Sequence, residues 1–312
     1  MELVATNTLR IDVEHLGNAR VIASCLLEGP GGPALVDPGP ASTLSTLERK
    51  LKQHGLQIAD LHALLLTHIH LDHAGATGSL VRMNPRLRVF VHERGAVHMV
   101  QPAKLLESAR RLYGDEMDRL WGEFLPVPAD NVHALKGGEK LELAGRTLDV
   151  AYTPGHASHH VSYFDQSTGL AFTGDTTGIR IANQPGIMPP TPPPDINLEL
   201  WEESLDLILS RKPERLFLTH FGTAFPPDEH IAEFRATLRQ WGELVQKSLE
   251  TEGTDDQRAA RFAEDVFRDL CLRFPEDVAR LYVKGAPPDQ CWYGLARYWR
   301  KRAQAAVSPS KA

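Results

Sequence analysis

The chain has 312 residues, 42% hydrophobic and 24% charged, and its 34 basic and 40 acidic side chains give a formal net charge of −6. This is globular composition, long enough for one large core or a core domain with a smaller partner, and it excludes disorder, collagen and coiled coil. With no basic cluster beyond Arg300-Lys301-Arg302 there is no electrostatic footprint for nucleic acid, and no apolar stretch approaches the ~20 residues of a membrane span, so neither partner is expected.

In chain order, short apolar runs bounded by glycine, proline and aspartate predict strands at residues 21–27, 34–36, 61–66, 87–91, 148–151, 161–164, 170–172 and 216–218. Helix-length stretches lie between some of them, at 42–54, with Ser42 and Thr43 as candidate N-caps, and at 198–209. A proline-rich stretch, 185–194, reads as a semi-rigid loop bordering a pocket, since consecutive prolines donate to neither helix nor sheet. From about Pro226 the pattern changes to long amphipathic segments, 228–250, 255–274 and 288–302. The expected organisation is a catalytic α/β domain over 1–225 and a helical C-terminal subdomain over 226–312.

Cys25, Cys271 and Cys291 are scattered and odd in number, which argues against a disulfide framework and against a cysteine-based zinc site. Each is expected to be a small buried hydrophobe. The opening Met1-Glu2-Leu3-Val4-Ala5-Thr6 lacks the pattern of a secretory signal, so a cytoplasmic location is expected.

The chemistry concentrates in Thr67-His68-Ile69-His70-Leu71-Asp72-His73, directly after a predicted strand. Alternation in an extended segment sends His68 and His70 to one side, and a turn through Leu71 brings Asp72 and His73 to face a neighbouring point. One loop can therefore serve two adjacent metal positions. His156, Asp175 and His220 also follow apolar runs, and strands ending at one sheet edge gather such side chains. Imidazoles and carboxylates without cysteine suit Zn, Mn or Fe in an open catalytic site, and a carboxylate such as Asp175 can bridge two ions.

At these residues the sequence resembles the metallo-β-lactamase-fold hydrolase superfamily, with its His-x-His-x-Asp-His loop followed by isolated His, Asp and His ligands, over about residues 10–225. The resemblance implies an αββα sandwich with a C-terminal helical extension and two divalent metal ions, most readily zinc, with Mn or Fe as alternatives. His68, His70 and His156 would hold one, Asp72, His73 and His220 the other, and Asp175 both. It also makes Asp37 a supporting residue near the site, with a plain turn former in Asp37-Pro38-Gly39 as the competing reading, and His160 a neighbour of the ligands. His15, His54, His62, His92, His98, His133 and His230 fall outside any ligand pattern and are expected to be structural or exposed.

Water shared by two cations ionises readily: moving its pKa from about 15.7 toward about 7 corresponds to about 12 kcal/mol. The expected activity is that of a dinuclear metal-dependent hydrolase using a metal-bridging hydroxide on an ester-, thioester- or lactone-type small molecule, with Asp72 as the catalytic residue that orients it or relays a proton. A mononuclear iron persulfide dioxygenase-like oxidoreductase is the alternative. Thr173-Gly174-Asp175-Thr176 and the helical tail look most like the glyoxalase II group, but Thr177-Gly178-Ile179-Arg180 replaces that group's Gly-Cys-Gly stretch, which argues against glutathione thioesters. No tyrosine stands shortly beyond Asp175, where homoserine lactonases carry one. Trp292, Tyr293, Tyr298 and Trp299 are expected to serve core packing and contact in a homodimer.

Overall fold

The computed structural model describes residues 1–181, 184 and 186–307. Pro185, at the start of the proline-rich stretch, and residues 308–312, at the end of the tail, lie outside them. The first sheet consists, in spatial as well as chain order, of β1 (Glu2–Ala5), β2 (Thr8–Asp12), β3 (Ala23–Leu27), β4 (Ala34–Val36), β5 (Ala63–Leu65), β6 (Arg88–His92) and β7 (Val132–Leu135). It is antiparallel from β1 to β4 and parallel from β4 to β7. The second sheet contains β8 (Lys140–Leu143), β9 (Arg146–Tyr152), β10 (Val161–Asp165), β11 (Leu170–Phe172), β12 (Arg215–Leu218) and β13 (Gly222–Ala224), in the reverse spatial order. Only its β11–β12 pair is parallel.

Period-two alternation builds the layers. Cys25 and Leu27, Ala34 and Val36, and Ala63 and Leu65 join Val150, Val161, Tyr163, Phe172 and Phe217 in a core between the sheets. The intervening Leu26, Leu35 and Leu64 belong instead to the outer core, with Leu47 and Leu51 of α1 (Leu44–Gln53) and Leu80 of the helix Thr77–Met83. Numbered in order, the helices after α1 are α2 (Leu71–Ala74), α3 (Thr77–Met83), α4 (Glu93–Val100), α5 (Ala103–Tyr113), α6 (Met117–Trp121), α7 (Leu198–Ser210), α8 (Pro227–Ser248), α9 (Asp255–Arg273), α10 (Glu276–Gly285) and α11 (Pro288–Val307). Trp201, Leu205 and Ile208 of α7 and Ile231 and Phe234 of α8 cover the second sheet's outer face, where Leu216 and Leu218 point. The result is an α/β sandwich with helices on both outer faces and a helical C-terminal region. No helix among the described residues is long and apolar enough to cross a membrane.

Two local expectations are corrected. Neither Ser42 nor Thr43 caps α1: the Ser42 hydroxyl donates to the Leu120 carbonyl at 2.7 Å and that of Thr43 to the Pro40 carbonyl at 2.9 Å, so a 3-10 turn (Ala41–Thr43) leads into the helix. Cys271 is exposed on α9 rather than buried; Cys25 lies between the sheets and Cys291 is buried.

Arg146, half of a buried ion pair within the second sheet, ties that sheet to the first. Arg146 on β9 donates to Asp165 on β10 at 2.7 Å, to the Thr8 hydroxyl at 2.9 Å and to the carbonyls of Asn7 and Glu28 at 3.0 Å. Arg146→Ala leaves Asp165 buried without its counter-ion and should cost about 3–5 kcal/mol in urea unfolding. A loss below about 1 kcal/mol would place this pair with ordinary surface pairs.

Candidate metal centre

The parallel strands β4 and β5, and likewise β11 and β12, deliver their following loops to one edge of the sandwich. Asp37 follows β4, His68 and His70 follow β5, Asp175 follows β11 and His220 follows β12, while His156 stands beyond the end of β9. Asp72 and His73 lie in the first turn of α2, a short helix where the sequence suggested only a turn.

Three nitrogens converge: His70 Nδ1 lies 3.0 Å from His68 Nε2 and 3.0 Å from His156 Nε2. On the other side, His220 Nε2 is 3.1 Å from Asp72 Oδ2, and His73 Nε2 is 3.9 Å from the same oxygen. Asp175 faces both groups, with Oδ2 3.6 Å from His156 Nε2 and Oδ1 3.2 Å from His73 Nε2 and 3.8 Å from His220 Nε2. The sets His68/His70/His156 and Asp72/His73/His220 each bring one ligand atom per residue within 4.8 Å of the others.

The protonation states divide along the same line. Burial, reinforced by the neighbouring imidazoles, drives His68 well below the ordinary histidine range; burial also brings His70 down to about 4 and lowers His156. These three imidazoles are neutral, each with a lone pair to offer. Burial opposes charge on His73 and His220 too, but Asp175 and Asp72 outweigh it and raise both. Burial would likewise raise the two aspartates, yet His73 and His220 hold them well below the usual carboxylate range.

This donor set fits divalent cations. His73 Nε2 and Asp175 Oδ1 are buried and, misaligned despite their proximity, have no hydrogen-bond partner. Buried polar atoms in that condition are rare unless something binds them. Nitrogen and carboxylate oxygen without sulfur is the donor chemistry of hard to borderline ions.

The surrounding contacts fix which ring nitrogen faces inward. His156 Nδ1 pairs with the Pro190 carbonyl at 2.8 Å and His220 Nδ1 with the Val21 carbonyl at 2.9 Å, leaving each Nε2 toward the centre. Asp37 is fully buried and accepts four hydrogen bonds: from the Thr67 amide at 2.8 Å, its hydroxyl at 2.7 Å, His73 Nδ1 at 2.8 Å and the Thr219 hydroxyl at 2.8 Å. His160 stacks on His68 with centroids 5.0 Å apart, and its Nδ1 lies 3.0 Å from the hydroxyls of both Thr153 and Thr176. Gly174, at φ 46, has no room for a side chain: a Cβ there would meet Thr67 Oγ1 at 2.5 Å and His160 Nε2 at 2.7 Å.

The family profile described as metallo-beta-lactamase superfamily matches residues 17–220, about two thirds of the chain. The chain belongs to the metallo-beta-lactamase superfamily. Among its sequence relatives in that superfamily is the metallo-beta-lactamase fold-containing protein ST1585 of Sulfurisphaera tokodaii, 32% identical over 178 residues, covering 55% of this chain and 66% of the relative. A hydroxyacylglutathione hydrolase of a Synechococcus species is 35% identical over 143 residues, covering 46% of this chain and 43% of that protein. The matches thus span between 43% and 66% of these two relatives' own lengths. In fold, the metallo-beta-lactamase family protein TTHA1429 of Thermus thermophilus is similar with a TM-score of 0.69 at 22% identity, over 96% of this chain and 95% of that one.

A cavity of about 850 Å³ opens onto the centre, with His70, Asp72, His156 and Asp175 on its floor. Its size lies in the upper part of the ~300–1,000 Å³ range of small-molecule sites in proteins. The walls come from α5 and α6, from Pro190 and the prolines at 192–194, and from the α10–α11 junction at 283–291. The described part of the proline-rich loop and the helical tail therefore both border it, while Trp292 is buried in the outer core.

Several wall residues were not legible in the sequence. His15 and His98, expected to be structural or exposed, line the cavity. His159, which follows no strand directly, stacks over His68 at 6.1 Å and meets His70 edge-on at 5.6 Å. Leu105, Ala109 and Leu112 of α5 recur at helical spacing and could have announced that wall.

Proposed function

We propose that the chain is a dinuclear metal-dependent hydrolase of an ester-, thioester- or lactone-type small molecule. One observation carries this reading: two ligand groups stand side by side at the floor of a cavity, with Asp175 facing each through a different oxygen. His68, His70 and His156 would hold one divalent cation and Asp72, His73 and His220 the other, with Asp175 shared and zinc the metal expected first. Bound there, the cations would acidify a water and polarise the oxygen of the bond to be cleaved. The similarity to hydroxyacylglutathione hydrolases supports the thioester branch of the reading. Two adjacent ligand groups favour hydrolysis over oxygen chemistry at a single iron.

The chain's own groups supply position and proton transfer. Asp37 holds His73, and the carbonyls of Pro190 and Val21 hold His156 and His220. The side chain of Asp72 is 18% exposed against 5% for Asp175, so of the two carboxylates on the cavity floor it is the one more open to the cavity and can orient a water or take its proton. We assign the catalytic domain to residues 1–225 and the helical subdomain to 226–312, whose α10–α11 junction closes one wall of the cavity.

The test is a substrate panel assayed on zinc- and manganese-loaded protein. Chelator-sensitive turnover of thioesters, esters or lactones is expected; turnover confined to β-lactams or phosphodiesters, or oxygen uptake with persulfides on one iron per chain, would contradict the reading. Asp72→Asn should lower kcat about 10²–10⁴-fold with both cations retained, the range for a positioned acid or base. Full turnover in that variant would remove the role given to Asp72.

A further inference from the structure

His15 sits on a 3-10 turn (His15–Gly17) whose neighbours Glu14 and Leu16 occupy the left-handed region at φ 53 and 52. Side chains other than glycine reach that region only when their surroundings hold them there. The holding contacts are present. Glu14 accepts from Lys50 at 2.6 Å and Arg49 at 3.0 Å, Asp12 accepts from the Glu14 and Arg20 amides at 3.0 and 2.8 Å, and the Asn18 side chain donates to the His15 and Leu16 carbonyls at 3.2 and 3.1 Å.

The strained turn sets the His15 ring flat against Trp121 at the end of α6, with centroids 5.4 Å apart and planes 11° from parallel. His15 is only 8% exposed, and both its Nδ1 and the Trp121 Nε1 are buried without a hydrogen-bond partner. An indole N–H can only donate, and leaving a buried donor unpaired is unfavourable. Burial brings His15 down to about 4, so its neutral ring also has one N–H to give. Both rings line the cavity over the centre, and Asp72 and His220 lie close enough to act on His15's charge.

The charges around this cavity point the same way. In a chain of net charge −6, its lining includes Arg94, Lys104 and Lys284, together with Arg119, whose guanidinium pairs with Glu116. Its acids are already engaged: Asp72 and Asp175 in the centre, and Asp195 by the amide and hydroxyl of Ser158. Leu105, Leu112 and Leu120 give the wall between them an apolar surface.

We infer that the stacked His15–Trp121 pair is a receptor for a carboxylate carried by the substrate away from the bond that is cleaved. The substrate class is then an ester or thioester with an apolar arm and a free carboxylate. The mention of a cleaved bond rests on the hydrolase reading; the receptor stands on the two unpaired nitrogens and the cationic wall.

The test is binding, so it does not depend on turnover. Zinc-loaded protein with ¹⁵N-labelled tryptophan is titrated with a hexyl thioether of 3-mercaptopropionate and with its methyl ester. One indole resonance, missing in Trp121→Phe, should move with the acid and not with the ester. Trp121→Phe and His15→Phe, which keep the ring stack, should each weaken the acid about tenfold, or about 1.4 kcal/mol, without changing metal content. A stationary Trp121 resonance, an equal response to the ester, or unchanged affinity in both variants would overturn the proposal. A protein that binds the acid in this way yet hydrolyses nothing would uphold the receptor and refute the hydrolase reading.

Discussion

Asp175→Ala is expected to lower turnover by at least about 10²–10³-fold, the scale on which removing one preorganised electrostatic group acts. It should also reduce bound metal from two ions per chain to one or none. Asp175 is the only side chain of the cluster that faces His156 through one oxygen and His73 and His220 through the other. Its carboxylate heads the influences that raise His73 and His220 against burial, so its loss changes the charge of the second group as well as its geometry. The local backbone should survive: the Gly178 amide bonds the Asp175 carbonyl at 3.0 Å and the Thr176 amide bonds the Thr173 carbonyl at 3.0 Å, independently of the side chain. Elemental analysis alongside kcat checks this; two ions retained with activity near that of the parent would refute the shared role.

Asp37→Ala is expected to have a comparably large effect by another route. The carboxylate holds the loops after β5 and β12 together through Thr67 and Thr219 while fixing the tautomer of His73. Alanine strands four buried donors. Removing one side of a buried charged network costs about 3–5 kcal/mol, and losing the partner of a ligating histidine costs about 10–100-fold in metal affinity. Urea unfolding of the metal-free protein and zinc titration separate the two losses. A variant with normal stability and normal zinc affinity would return Asp37 to the turn-former reading.

The sequence made the strand ends visible because ligand-type residues stand directly after apolar runs that bury both faces. β4 and β11 occur at the positions expected, and β5, β6, β9, β10 and β12 differ only at their ends. β7 and β8 escaped because they are half exposed, and β13 because it is three residues long and begins with Gly222. α10, within the helical tail, was also missed, as were α5 and α6. Asp37 could be read two ways from Asp37-Pro38-Gly39, since its four donors come from Thr67, His73 and Thr219, far along the chain. His15 carried no local signal at all: its position depends on a strained turn meeting Trp121.

The most direct measurement is the metal content and ligand environment of protein equilibrated with zinc. Elemental analysis combined with X-ray absorption at the zinc edge should find two ions per chain in nitrogen and oxygen coordination, with one ion fewer after His220→Ala. Substoichiometric zinc, sulfur among the ligands, or an unchanged count in that variant would contradict the centre on which the functional reading depends.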